Sequence, residues 1–229
     1  MNDQILLIDK PAGMTSFGVV ARIRRVLSQQ AGKKIKVGHT GTLDPFATGL
    51  MIIVTGNECR NAMTYTKLDK VYEATIILGQ VSTTGDPEGE ITFVDRREAV
   101  SGKEVTPAPM VSQVREILRQ FTGEIRQRPP IFSAIKINGQ RAYKLARDGK
   151  EVEMPERSVS IYSLELLDYS YPELRVRAHV SSGTYIRSLA VDIGEALGTG
   201  AYCSQLRRTA ISDWHVEAAS TLESLDITT

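Results

Sequence analysis

The hydrophobic residues of this 229-residue chain recur with two different periods, which alternate along the sequence. A short apolar run over 4–8 predicts a strand, and helical spacing over 19–27 predicts a helix capped by Thr15 or Ser16. The same reasoning predicts strands over 50–55, 69–79, 131–137, 159–167, 174–180 and 202–211, and helices over 110–121, 141–147 and 185–197. Because several strand pairs are joined by short turns, we expect an α+β fold with a mixed, largely antiparallel central sheet flanked by helices and loops.

Composition narrows the class of protein without yet indicating a function. A hydrophobic content of 41% and a net charge of +1 are ordinary for a soluble globular protein and exclude disorder and coiled coil. The longest apolar run, 50–54, is far shorter than the roughly 20 residues that span a bilayer, and the N-terminus does not resemble a signal peptide. His39, His179 and His215 lack the spacing of metal ligands. We therefore expect a cytoplasmic protein with no metal site and no membrane partner.

The most unusual segment is 38–49, which contains three glycines and an Asp-Pro pair at Asp44 and Pro45. Glycines allow a ligand to approach the backbone closely, and Pro45 holds Asp44 in an extended conformation. A rigidly held carboxylate in such a loop is typical of a nucleophile or general base. Asp-Pro is also a common turn dipeptide, and the second copy, at Asp86, has the pattern of a solvated turn. The dipeptide alone is therefore weak evidence for a catalytic carboxylate, and only the whole 38–49 segment is specific.

Three other segments carry residues that suit a site. Arg187 falls in the first turn of a predicted helix, where the helix dipole disfavours a cation and an anionic partner would be stabilising. Tyr72 lies on the more apolar face of its strand, which favours a core position when the residue is taken alone. Arg207 and Arg208 point to opposite faces of the last strand, so one of them can face a ligand, although a charged edge strand would show the same pattern.

Taken together, these segments resemble the TruB family of tRNA pseudouridine synthases. The family landmarks occur in order at 7–16, 38–49, 70–74, 129–143, 183–187 and 206–208, so the resemblance covers nearly the whole chain. It implies the pseudouridine synthase fold and the isomerisation of uridine-55 in the tRNA T-loop without cofactor or metal. It also implies a single catalytic domain over 1–229, in which 122–152 clasps the RNA, with no C-terminal PUA domain, no guide RNA and a monomeric state.

The resemblance also implies roles for individual residues. Asp44 is implied as the catalytic aspartate, Tyr72 as the residue that stacks on the target base and joins the proton transfer, and Arg187 as the ion-pair partner of Asp44. An arginine within about 4–6 Å would keep a carboxylate ionised. The residues expected to bind the substrate are His39, Tyr185, Leu206, Lys10, Lys136, Tyr143 and Arg207.

Other functions stay open at this point. The same chemistry could act on another RNA loop, or the chain could be an RNA-binding or tRNA-folding module with incidental catalysis. A glycoside hydrolase would normally need a second carboxylate that is held rigidly in place. The matching motifs indicate such a placement for Asp44 alone.

The distribution of charge supports an RNA partner, although the total does not. Segments 1–43 and 124–150 each hold seven basic and two acidic residues, and 175–208 holds five and two. The rest of the chain is acidic. We therefore expect a basic face around the site and an affinity for a T-arm stem-loop that falls with salt.

Overall fold

A computed structural model of the chain describes residues 3–94, 108–133, 135–137, 139–142, 145 and 154–227. Its helices are α1 (Ser16–Ala31), α2 (Ala62–Thr66), α3 (Val111–Gln120) and α4 (Ile186–Ala196) among these residues. The strands are β1 (Ile5–Lys10), β2 (Val37–His39), β3 (Thr48–Thr55), β4 (Lys70–Leu78), β5 (Gln80–Ser82), β6 (Ile91–Phe93), β7 (Gly123–Gln127), β8 (Lys136–Ile137), β9 (Gln140–Arg141), β10 (Arg157–Ser170), β11 (Glu173–Val180), β12 (Ala201–Ile211) and β13 (Trp214–His215). No helix in these ranges is long and apolar enough to cross a membrane.

The chain divides into two compact units. The first comprises Met1–Glu73 and Leu206–Thr229, and the second comprises Ala74–Gln205. The chain leaves the first unit within β4 and returns to it within β12.

In the first unit, β3 is the central strand of the core. β1 pairs with it antiparallel from Ile5 to Lys10, β2 pairs with its far end, and β12 pairs with it in parallel at Arg207 and Arg208. Leu50, Ile52 and Val54 are completely or almost completely buried on this strand. Helix α1 begins where the Thr15 hydroxyl accepts a hydrogen bond from the Gly18 N–H, and it buries its apolar face.

The second unit is built on a long antiparallel hairpin. Strands β10 and β11 pair along most of their length, and β7 pairs with the first half of β10. Alternate residues of β11 are buried, as expected of a strand that covers a core with one face. Helix α4 buries Ile186, Leu189, Ala190 and Ile193, and this burial places its first turn inside the unit.

Most of the predicted elements are confirmed, and so is the α+β fold with a mixed, mostly antiparallel sheet. The strand predicted over 131–137 is wrong for its first half, because 131–133 form bends and the strand covers Lys136 and Ile137 alone. Of the predicted helix over 141–147, Arg141 instead ends β9, Ala142 and Leu145 are helical, and the remainder lies outside the described residues. Strand β7 was not predicted.

Gly49 is required where β3 meets β12. Its φ is +107°, and a Cβ built on it would lie 2.3 Å from the Arg208 carbonyl oxygen, which is backbone and cannot move aside. We expect Gly49→Ala to lower the free energy of unfolding by roughly 2–4 kcal/mol through strain and strand displacement, measured by urea denaturation. Gly32→Ala is the control, because Gly32 has a φ of +62° but open space around it. An equal loss in both variants would contradict the steric explanation.

Candidate active site

The loop that carries Asp44 is held by bonds on both sides of that residue. The Ser16 hydroxyl donates to the Leu43 carbonyl and accepts from the Leu43 N–H, both at 2.8 Å. On the other side, the Gly13 N–H donates to the Pro45 carbonyl at 2.8 Å. Asp44 itself is half-buried, so its carboxylate sits on a rigid support without being sealed from solvent. This is the preorganisation that a nucleophile requires.

Lys10 is part of this support. Its side chain is completely buried, and its ammonium donates to the carbonyls of Pro11, Met14 and Pro45. Lys10 thus ties the 10–14 turn to the residue that follows Asp44. Binding of substrate by Lys10 stays a prediction.

Arg208 is the residue of the first unit that sequence reasoning passed over. Its side chain is 1% exposed, and its Nε donates to the Leu50 carbonyl at 2.7 Å. Its two terminal nitrogens donate to the Gly41 carbonyl at 3.1 Å and to the Tyr72 hydroxyl at 3.5 Å. One guanidinium thus connects the Asp44 loop, the central strand and the phenol of Tyr72. The sequence feature that could have pointed to Arg208 is the alternation of Arg207 and Arg208 on β12. That alternation does not determine which of the two arginines faces inward.

Near the Arg208 guanidinium, the pKa of the Lys70 ammonium is lowered. Burial, with a smaller contribution from the Arg208 charge, lowers the pKa of the Lys70 ammonium to about 8. That ammonium donates to the carbonyls of Thr66 and Leu68. The first unit therefore holds two cations close together beside the Tyr72 strand.

Arg207 lies on the other face of β12, as its position on the strand predicts. Its guanidinium forms an ion pair with Asp9 at 2.7 Å and donates to the Thr48 hydroxyl at 3.3 Å, with 41% of the side chain exposed. Hydrogen bonding to Asp9 raises the pKa of Arg207. Binding of substrate by Arg207 remains a prediction.

The two arginines can be separated by experiment. We expect Arg208→Lys to lower kcat by roughly 10-fold or more, because an ammonium cannot reproduce three forked hydrogen bonds and small displacements of reacting groups are costly. The matched variant Arg207→Lys should have a much smaller effect on kcat, with any change appearing in KM. Steady-state kinetics on an RNA substrate measure both values. Equal losses of kcat would show that Arg208 has no special role.

The first unit also contains three other residues of the predicted site, Tyr72, Leu206 and His39. Tyr72 and Leu206 are each 8% exposed, and His39 is half-buried at the end of β2, opposite Ile53. The core position inferred for Tyr72 from its strand alone is thus confirmed. Its hydroxyl nevertheless receives a bond from the Arg208 guanidinium, which a purely apolar core position would not provide.

In the second unit, Arg187 is buried in an ion pair with Asp86. The two side chains are each 3% exposed, and Arg187 Nη1 lies 2.8 Å from Asp86 Oδ2. The guanidinium also donates to the carbonyls of Thr84 and Phe132 at 3.0 and 2.8 Å. Asp86 is held in turn by the Thr84 hydroxyl and the Glu88 N–H. The interpretation of Asp86 as part of a solvated turn is wrong: the turn is present, but its carboxylate points into the protein.

Arg187 and Asp44 belong to different units, and their pairing stays a prediction. What the second unit does provide is a guanidinium oriented by three partners before any substrate arrives. Sequence reasoning missed Asp86 because its Asp-Pro pair is indistinguishable from an ordinary turn, and its partner lies 101 positions away.

Tyr185 is half-buried at the start of α4. Its backbone N–H and carbonyl both bond to the side-chain amide of Gln127, at 2.8 and 2.9 Å. The Arg157 guanidinium lies 4.8 Å from the centre of its ring, a cation–π distance. Gln127 therefore fixes the backbone of Tyr185, and Arg157 contacts its ring. Of the other predicted residues, Lys136 has a described backbone in β8, and Tyr143 lies outside the described residues.

A cavity of about 570 Å³ in the second unit borders the Asp86–Arg187 pair. Thr84, Arg187 and Phe132 line it, together with Asp192 of α4. Burial and the neighbouring Glu195 raise the pKa of Asp192 to about 6. No group of three or more His, Cys, Asp or Glu residues that could hold a metal ion occurs in the described part of the chain.

Comparisons with known proteins identify the family of this chain. The model of the TruB family pseudouridylate synthase N-terminal domain matches residues 24–186, and that of the tRNA pseudouridylate synthase B C-terminal domain matches 187–228. The tRNA pseudouridine synthase B of Phocaeicola vulgatus is 44% identical over 96% of this chain and 91% of its own length. That of Corynebacterium jeikeium is 41% identical over 97% of this chain and 70% of its own length.

A solved structure supports the same assignment. A chain of a Cbf5-Nop10-Gar1 complex superposes with a TM-score of 0.70 at 29% identity, over 96% of this chain and 52% of that one. This chain therefore spans about half the length of that structural relative. With two family models that together match residues 24–228, and relatives above 40% identity across nearly its whole length, the chain belongs to the TruB family of pseudouridylate synthases.

Proposed function

We propose that the protein isomerises uridine-55 in the T-loop of tRNA to pseudouridine. The observation that carries the proposal is the Asp44 loop, in which Ser16, Gly13 and Lys10 hold the residues on either side of a half-buried aspartate. The two tRNA pseudouridine synthase B relatives described above support tRNA as the substrate class.

The reaction follows from what these residues can do. The target uridine must leave its stack, at a cost of a few kcal/mol, and stacking on an aromatic ring returns roughly 1–3 kcal/mol. Tyr72 serves as that ring in the proposal, held through its hydroxyl by Arg208. Asp44 attacks either the ribose C1′ or the uracil ring, and the N-glycosidic bond breaks.

The uracil then turns and rejoins the ribose through C5, and the bond to Asp44 breaks, which regenerates the carboxylate. The proton on C5 is lost and N1 gains one, so the product is an isomer and no external reagent is consumed. Arg187, oriented by Asp86, is proposed to keep Asp44 ionised for this step, because a guanidinium stabilises a nearby carboxylate.

The proposal is tested by incubating the protein with an unmodified T-arm transcript. Pseudouridine is then mapped in the RNA at single-nucleotide resolution. We expect product at the T-loop uridine alone. Product at a different uridine in other RNAs would favour a synthase with another target. RNA binding without any product would favour an RNA-folding module, and either result would overturn the assignment to uridine-55.

A further inference from the structure

Helix α1 and the loop after it carry a concentration of basic residues. Between Asp9 and Asp44 the sequence contains seven basic residues and no acidic one. Lys10 is buried, and the other six lie on α1 or in the segment that follows it. We define the α1 surface by Phe17, Arg24, Lys33, Lys34 and Lys36.

The lysines of this surface are held in place although they lie in a loop. Gly32 ends α1 with its N–H bonded to the Gln29 carbonyl. Ile35, between the exposed Lys34 and Lys36, is buried, and its N–H donates to the Ser28 hydroxyl at 3.0 Å. The Lys36 carbonyl accepts from the Gly56 N–H at 2.8 Å. The ammonium groups therefore project from an anchored backbone.

These charges differ from several exposed arginines elsewhere in the protein, which form ion pairs. Arg119, Arg126 and Arg177 each pair with a nearby glutamate at 3.3–3.7 Å. Throughout the part of the chain that the structure describes, no carboxylate forms an ion pair with Arg24, Lys33, Lys34 or Lys36. Like charges that lack a counter-charge repel one another, and a polyanion relieves the repulsion.

An exposed aromatic ring belongs to the same surface. Phe17 is 63% exposed, and the Arg24 guanidinium lies 5.6 Å from the centre of its ring. An apolar ring in water next to a cation is the arrangement on which unpaired bases or riboses stack. From Phe17 to the end of α1 is roughly 20 Å at about 1.5 Å per residue, long enough to follow several nucleotides.

We propose that the α1 surface binds the sugar–phosphate backbone of the RNA substrate, outside the nucleotides that enter the active site, with Phe17 as a stacking platform. This inference rests on the proposed function, because it takes the bound RNA to be the enzyme's own substrate. Segment 33–36 leads directly into β2 and the Asp44 loop, so RNA held there is bound beside the loop that carries the chemistry.

The test compares two triple variants of equal charge. K33Q/K34Q/K36Q removes the three lysine charges of the α1 surface, and R115Q/R119Q/R175Q removes the charges of three exposed arginines of the second unit. Binding to a T-arm hairpin and to a full-length tRNA transcript is measured from 50 to 300 mM salt. The logarithm of the binding constant falls as log salt rises, and each phosphate contact contributes about 0.7–0.9 to the steepness of that fall. The steepness should therefore decrease by roughly 2 in the lysine variant on at least one of the two RNAs. The arginine variant should retain it.

Phe17→Ala provides a second readout that is independent of charge. Its affinity should fall by roughly 5-fold or more, as for the loss of one stacked base, and Phe17→Tyr should restore it. Unchanged slopes in the lysine variant, or equal losses in both triple variants, would overturn the inference. Failure of the wild-type enzyme to modify the T-loop uridine would instead overturn the proposed function. In that case, a weaker salt dependence of binding in the lysine variant alone would still locate an RNA-binding surface on α1.

Discussion

Asp44→Asn is expected to lower pseudouridine formation by at least about 10³-fold, because an amide cannot act as the nucleophile and removal of a catalytic nucleophile has effects of that order. The substitution preserves shape, and the loop is held by Leu43 and Pro45 and not by the carboxylate alone. RNA binding should therefore survive. Single-turnover assays with excess enzyme measure the chemical step, and filter binding measures the affinity.

Asp213→Asn is the matched control, since Asp213 is an exposed aspartate and lies outside the predicted site. It should retain wild-type rates. Turnover by Asp44→Asn within a few-fold of the wild type would show that another group performs the attack. Loss of RNA binding together with turnover would show that the carboxylate holds the loop and would leave its chemical role unsupported.

Asp86→Asn is expected to damage both stability and turnover. It leaves the Arg187 guanidinium buried without its anionic partner, and breaking one side of a buried pair costs about 3–5 kcal/mol. Its bonds to the Thr84 and Phe132 carbonyls stay in place, but the guanidinium loses the anchor that the Asp86 carboxylate supplies. We expect kcat to fall by roughly 10²-fold through this misplacement.

A double variant separates the structural role from the catalytic one. Arg187→Met with Asp86→Asn removes both charges, and replacement of a buried pair by neutral groups is often neutral or stabilising. The double variant should therefore recover much of the unfolding free energy lost by either single variant, measured in urea. Its turnover should stay as low as that of Arg187→Met. Recovery of turnover together with stability would show that the pair is structural only.

The local patterns of the chain predicted most of its elements correctly. Helix α1 begins at the expected cap, and β4 buries Tyr72, Ala74, Ile76 and Leu78 on one face, as the alternation indicates. These features depend on residues within one or two turns of each other. The Asp44 loop was also evident from the sequence, because its glycines and its Asp-Pro pair lie within twelve positions.

The strand over 131–137 was predicted from the same kind of pattern and was half wrong. Ile131 and Phe132 are apolar, but they are 44% and 36% exposed, and the Phe132 carbonyl accepts a bond from Arg187 instead of a neighbouring strand. An apolar run indicates a strand only where the backbone has a partner, and that partner depends on the tertiary structure.

The sequence by itself determined the family, the α+β class and the loop that presents Asp44, since each follows from residues close together along the chain. The roles of the two Asp-Pro pairs and of the two adjacent arginines were decided only by the tertiary structure. Asp86 is buried because the fold brings Arg187 to it from 101 positions away. Arg208, and not Arg207, turns inward because Gly41, Leu50 and Tyr72 together surround that face of β12. Burial of a charge depends on partners that are distant in sequence, so no local pattern can predict it.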